Sequence, residues 1–167
     1  DLVEDILGHP KWTGDFSSFK SQEVMNTLAG MMGVSQFLWE DFLRMQHENL
    51  FPLVSNPEHL EYSPNREELE HTLQEDLAGS QNNNERIDRI NSFKDREMFR
   101  IDLRHITNRI GDIGFSRELT QLTDVVVSQV YDLCLQQLED RYGQPLCDDT
   151  SPCRLALLAA GKYGGLE

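Results

Sequence analysis

From Asn84 to Ile110 the chain reads NERIDRINSFKDREMFRIDLRHITNRI, a stretch with no glycine or proline inside it. Ile87, Ile90, Met98 and Ile101 form one apolar row at helical spacing, and Phe99, Leu103, Ile106 and Ile110 form a second. The spacing predicts one long helix covered on more than one side. A helix of that kind is stable as a central member of a bundle, so its neighbours must supply the cover.

Several segments fit that role. Gly111 and Gly114 are expected to close the long helix, and Ser116 to cap the next, whose apolar side is Leu119, Leu122, Val126, Val130, Leu133 and Leu138 up to Tyr142-Gly143. Two long helices joined by a short glycine turn predict an antiparallel pair. Upstream, Asn65-Arg66-Glu67-Glu68-Leu69 after Ser63-Pro64 reads as a helix start with acid in its first turn, running to Ala78. Residues 79–84, Gly-Ser-Gln-Asn-Asn-Asn, read as a mobile polar loop. A helix capped by Ser21 and ended by Gly33, and another from Ser35 through Phe37, Leu38, Phe42 and Met45, precede these. Residues 1–20 form a lead-in with a brief apolar stretch.

Composition narrows the function. With 15 Lys plus Arg against 29 Asp plus Glu, the net charge of −14 opposes binding to nucleic acid or an anionic membrane. The sequence holds no apolar run long enough to span a bilayer, and its first residues lack a signal-peptide pattern, so a cytoplasmic setting is expected. Cys134, Cys147 and Cys153 lack zinc-pair spacing and read as free thiols, Cys134 in the core. His9 reads as part of a surface turn. His59 and His71 lie among Glu58, Glu61, Glu67, Glu68 and Glu70, which the spacing assigns to a solvated acidic helix rather than to a metal centre.

Two features bear on chemistry. Arg96, Arg100 and Arg104 recur at every fourth residue, placing three guanidinium groups along one helix face. Salt bridging to acidic neighbours is one explanation, and an anion-facing stripe is the other. The second feature is the C-terminal stretch RLALLAAGKYGGLE, in which the apolar run Leu155–Ala160 has the length of one buried strand. Gly161, Gly164 and Gly165 around Lys162 would let a phosphate or another backbone come close. The Walker spacing is absent, so this is no P-loop, and on the residues alone a plain strand-to-helix turn and a phosphate cradle both stand.

The same stretch resembles the opening of the nucleotidyltransferase domain in the glutamine synthetase adenylyltransferases and adenylyl-removing enzymes, whose pattern reads G-K-x-G-G-x-E-L and continues into S-D-x-D. Gly161, Lys162, Gly164, Gly165 and Glu167 match it. The long helix is similar to the family's F-K-R-R-E-x-x-R-I-x-x-R-D-L through Phe93, Lys94, Arg96, Glu97, Arg100, Ile101 and Arg104, with His105 where the family has Asp. Leu119, Leu122 and Asp124 resemble its L-x-x-L-A-D, and Gly143 with Pro145 its G-x-P turn. Ser35, Leu38, Asp41, Leu43 and Arg44 match a further element, here separated by extra residues from Pro57-Glu58. The likeness covers about Ser35 to Glu167.

The patterning predicts a mainly α chain, with a helical lead-in over 1–33 and a helical bundle domain over 34–150, and the resemblance implies that 151–167 are the first strand and glycine turn of an α/β nucleotidyltransferase domain. It implies transfer of AMP from ATP to glutamine synthetase, or its phosphorolytic removal, in nitrogen regulation. ATP and Mg²⁺ are implied for the complete enzyme, with glutamine synthetase and a PII-type regulator as partners. Gly161, Lys162, Gly164 and Gly165 are the expected nucleotide-binding residues, and Arg96, Arg100 and Arg104 the candidate anion-facing ones. The metal-binding carboxylates are expected beyond Glu167, so this chain is expected to hold no catalytic or metal-ligating residue, to bind neither cofactor strongly, and to be inactive alone. The competing expectation is a non-catalytic acidic helical module that docks to a protein.

Overall fold

The computed structural model describes residues 60–148 and 150–161, together with Asn26, Ala29, Gly30, Gly33 and Tyr163. The lead-in over 1–20 and the helix expected from Ser35 lie outside these residues. Of the helix expected after Ser21, Asn26, Ala29 and Gly30 are helical, and so is Gly33, read from sequence as its end.

Three further helices follow: α1 (Arg66–Leu77), α2 (Asn83–Ile106) and α3 (Asp112–Tyr142). Asn65 starts α1 with a capping box, in which its side chain accepts from the Glu68 backbone N–H at 3.1 Å and the Glu68 carboxylate accepts from the Asn65 N–H at 2.7 Å. Leu69, Leu73 and Leu77, four apart, are its buried stripe. The expected loop of residues 79–84 is shorter in the fold, because Asn82 accepts from the Glu85 N–H at 3.0 Å and Glu85 from the Gln81 N–H at 2.7 Å. These bonds cap α2, which starts at Asn83.

The junction between α2 and α3 departs from the sequence expectation. Asn108, not a glycine, takes the left-handed conformation at φ 57°. The Arg109 N–H donates to the Arg104 carbonyl at 2.8 Å and the Asn108 N–H to the His105 carbonyl at 3.0 Å, the bond pair of a Schellman end. Asparagine tolerates that region better than other side chains do, so α2 stops before Gly111. The Phe115 N–H then donates to the Gly111 carbonyl at 2.9 Å. Gly114 and Ser116 therefore lie inside α3 rather than ahead of it.

By packing, the described residues fall into two units, one comprising residues up to Ser63 with Asp95–Phe115, the other Pro64–Lys94 with everything from Ser116 on. In the first, Leu60, Phe99, Ile101 and Leu103 are buried, and so are Glu97, Arg100 and Arg104. Burial at nearly every position from 99 to 104 means the helix is covered all round there, whereas Ile87 and Met98, read from sequence as part of a covered apolar row, are exposed. His105 stacks on Phe115 with ring centroids 4.5 Å apart, and its Nε2 lies 2.9 Å from Asp112 Oδ1, closing the α2–α3 turn.

In the second unit the interior is Leu69, Leu73, Leu77, Ile90, Phe93, Leu122, Val125 and Leu133. Arg66 meets Asp124 and Gln74 meets Gln129, so α1 and α3 run in the same sense. Arg86 and Ile90 share a cavity with Leu133 and Gln129, while Asn83 lies nearer Asp140, so α2 runs antiparallel to α3, as expected. The apolar stripe of α3 is rotated from the one read in sequence. Leu122, Val125 and Leu133 face inward, whereas Val130 and Leu138 are exposed. Cys134, one residue past Leu133, is turned about 100° from it and is exposed rather than core.

Candidate functional site

The chain leaves α3 through Gly143 at φ 83° and makes an antiparallel bridge between Leu146 and Pro152. The Cys147 N–H donates to the Ser151 carbonyl at 2.9 Å and the Cys153 N–H to the Pro145 carbonyl at 2.7 Å. Beyond this clasp, residues 153–160 have no regular secondary structure and join no strand among the described residues. A strand needs a neighbour for its backbone N–H and C=O groups, and the described residues give this segment none. Leu155, Leu157 and Leu158 are accordingly 64%, 63% and 94% exposed.

Gly161 follows in a turn at φ 73°, a conformation that costs glycine little and other residues more. Lys162, Gly164 and Gly165 lie outside the described residues. Tyr163 is described, and its hydroxyl donates to Asp124 Oδ1 on α3. The other Asp124 oxygen is 3.7 Å from an Arg66 terminal nitrogen, and Arg66 Nε donates to Glu70 at 2.7 Å. The hydrogen bond to Asp124 is the chief reason the Tyr163 phenol is pushed above its ordinary value. The pairing with Glu70, supported by Asp124, raises Arg66 against the opposing effect of burial.

The three arginines of α2 have unequal surroundings. Arg100 is 5% exposed, donates from Nε to Glu97 at 2.8 Å and from a terminal nitrogen to the Tyr62 carbonyl at 3.2 Å. Arg96, more open, lies 3.7 Å from the same Glu97, and Arg104 is buried. At Arg100 the guanidinium is thus engaged within the protein, with a carboxylate of its own helix rather than of a neighbouring acidic one.

No group of three or more His, Cys, Asp or Glu among the described residues is disposed to hold a metal. His71 is exposed on α1 and pairs at 3.6 Å with Glu75, one turn on, as a solvated helix face would. These residues do not fit a magnesium site, and no chemical step is assigned to a metal on them. A cavity of about 310 Å³ opens between Gln74, Ser80, Arg86, Ile90, Gln129 and Leu133, a set that shares nothing with the glycine segment. No described helix is long and apolar enough to cross a membrane.

Sequence reasoning passed over the grouping of Tyr163, Asp124 and Arg66. Asp124 figured only as part of a resemblance, although a carboxylate set between the core residues Leu122 and Val125 has its backbone fixed and invites a partner. The partner's distance, thirty-nine residues along the chain, hid the pairing.

The family model described as Glutamate-ammonia ligase adenylyltransferase matches residues 25–167. A bifunctional glutamine synthetase adenylyltransferase/adenylyl-removing enzyme from Thioalkalivibrio sulfidiphilus (strain HL-EbGR7) is 30% identical over 134 residues, covering 77% of this chain and 14% of the relative. The chain thus spans about a seventh of that relative's length. No solved structure gives a significant match. With the family model matched from the first described helical residues through the glycine segment, the chain belongs to the glutamate-ammonia ligase adenylyltransferase family.

Proposed function

We propose that this chain is the helical part, and the threshold of the catalytic domain, of an enzyme that attaches AMP to glutamine synthetase or removes it. The observation that carries the reading is the family match extending through Gly161, Lys162, Gly164, Gly165 and Glu167. Residues 34–150 act as the helical support, and 151–167 open the nucleotidyltransferase fold. Leu155–Ala160 becomes its first strand once paired, which accounts for an apolar segment with no β neighbour among the described residues. Gly161, Lys162, Gly164 and Gly165 approach the ATP phosphates through backbone N–H groups and the lysine charge.

The acids that bind Mg²⁺ lie in the S-D-x-D segment that follows in the family, so the 167-residue chain is inactive alone. Glutamine synthetase is the substrate partner, a PII-type protein the regulator, and the cytoplasm the setting. Arg96 is the most open of the three arginines for an anion, since Arg100 and Arg104 are buried.

The test is AMP transfer from labelled ATP to glutamine synthetase, and phosphorolytic release from its adenylylated form, by the full-length gene product and by residues 1–167. One of the two activities is expected from the full-length protein and neither from the shorter chain. Turnover by residues 1–167, or a full-length product without an S-D-x-D segment after Glu167, would overturn the reading.

A further inference from the structure

We propose that Cys147 and Cys153 form a modification site, a dithiol that a small disulfide such as oxidised glutathione converts reversibly into a Cys147–Cys153 disulfide. The backbone sets up the pair. Leu146 and Pro152 are bridged antiparallel, the Cys147 N–H donates to the Ser151 carbonyl at 2.9 Å, and the Cys153 N–H donates to the Pro145 carbonyl at 2.7 Å. In that register Cys147 stands opposite Ser151 and Cys153 opposite Pro145, each one residue from the bridged pair. Both thiols therefore leave the clasp on the same face as diagonal neighbours. The Cys153 thiol donates to Cys147 across that diagonal. Cys134, the third free cysteine, lies on α3 outside the clasp.

Access divides the roles. Cys147 is exposed and Cys153 half-buried. The bond to Cys147 holds the Cys153 proton, against the Arg154 N–H, which donates to the Cys153 sulfur and eases its ionisation. The Cys147 thiolate attacks one sulfur of the glutathione disulfide, so that a mixed disulfide forms at Cys147 and one glutathione thiolate leaves. Cys153 then gives up its proton and attacks the Cys147 sulfur, the bond from Cys147 to glutathione breaks, and the second glutathione leaves. Both protons end on the released thiols, and one glutathione disulfide is reduced for each protein disulfide made. Diagonal neighbours stand farther apart than opposite ones, so the new bond draws the arms of the clasp together under strain, which keeps it open to reduction.

In the experiment, full-length wild type, Cys153→Ser and Cys134→Ser are equilibrated in glutathione buffers of rising oxidised share, quenched with acid and alkylated. Trypsin cuts after Arg141 and Arg154, so one peptide, 142–154, carries both thiols. In wild type that peptide should pass from doubly alkylated to a form two hydrogens lighter that bears neither label nor glutathione. Cleavage before Asp148 should leave its two halves joined until a reductant is added. Cys134 should stay alkylated, and Cys134→Ser should behave as wild type. In about 0.1 mM glutathione, a thiol tethered at an effective concentration of about 1 mM resolves the adduct roughly tenfold faster than free glutathione does. The mixed disulfide at Cys147 should therefore be roughly tenfold more abundant in Cys153→Ser than in wild type. A wild type that keeps both labels at the most oxidising ratio, or that carries glutathione on Cys147 as often as Cys153→Ser does, overturns the proposal. So does a disulfide no more favoured in the folded protein than in concentrated urea, since nearness in sequence alone would then account for it.

Discussion

Replacing Glu97 by alanine tests the buried charge in α2. Glu97 accepts from Arg100 at 2.8 Å, with only 11% and 6% of the two side chains exposed. Removing one partner of a buried pair costs about 3–5 kcal/mol, because the remaining charge is left desolvated without its counter-charge. Arg100 would still donate to the Tyr62 carbonyl, and Arg96 is 30% exposed, so the cost should fall near the lower end, about 3 kcal/mol. With a urea m-value of about 2 kcal/mol/M, that lowers the unfolding midpoint by roughly 1.5 M. Helical signal at 222 nm followed through a urea titration measures it. Glu97→Leu combined with Arg100→Met should return to within about 1 kcal/mol of wild type, since apolar side chains of similar volume replace a buried pair at little cost. A single variant that loses less than about 1 kcal/mol, or a double variant no more stable than the single one, would refute the reasoning.

Other consequences can be measured in the same way. Asn65→Ala removes one arm of the α1 capping box and should cost about 1 kcal/mol in urea unfolding. Asn108→Gly relieves the φ of 57° at the end of α2 and should stabilise by about 0.5–1 kcal/mol, whereas Asn108→Val should destabilise. Tyr163 has its pKa raised first by the hydrogen bond to Asp124 and then by burial. The folded state therefore holds that proton more tightly than the unfolded chain, whose tyrosines titrate near 10. The stabilisation is complete below about pH 10 and is lost as pH rises through the folded value; absorbance at 295 nm should show a late-ionising tyrosine that Tyr163→Phe abolishes. A hydrogen bond that the Cys153 thiol donates to Cys147 is the main cause of an upward shift at Cys153, so iodoacetamide near neutral pH should label exposed Cys134 and Cys147 before Cys153, as read by peptide mass spectrometry.

The parts of the fold readable in sequence were those set by local rules. The acid-rich start at Asn65 and the breaker-free run after Asn84 each translate directly into α1 and α2, because capping and periodicity act within a few residues. The end of α2 was misread because glycine is the commoner left-handed residue and Asn108 took the position first, three residues before Gly111. On α3 the three consecutive valines, Val125 to Val127, left the phase of the stripe undetermined. Packing in the second unit chose Val125, and that choice carried Val130, Cys134 and Leu138 to the surface. At the candidate site the glycines were legible as a motif, but the Tyr163–Asp124 tie joins residues far apart in sequence and follows no local rule.

The leucine-rich segment after Cys153 also governs how the protein behaves at high concentration. Leu155-Ala-Leu-Leu-Ala-Ala160 is uncharged, free of proline, and of the length that forms intermolecular β-stacks. Arg154 and Lys162 bracket it as gatekeepers, whose mutual repulsion between copies opposes stacking. Whenever the segment is without a β neighbour, colloidal stability depends on those two cations in a chain otherwise dominated by acid, and added salt, by screening them, should drive turbidity.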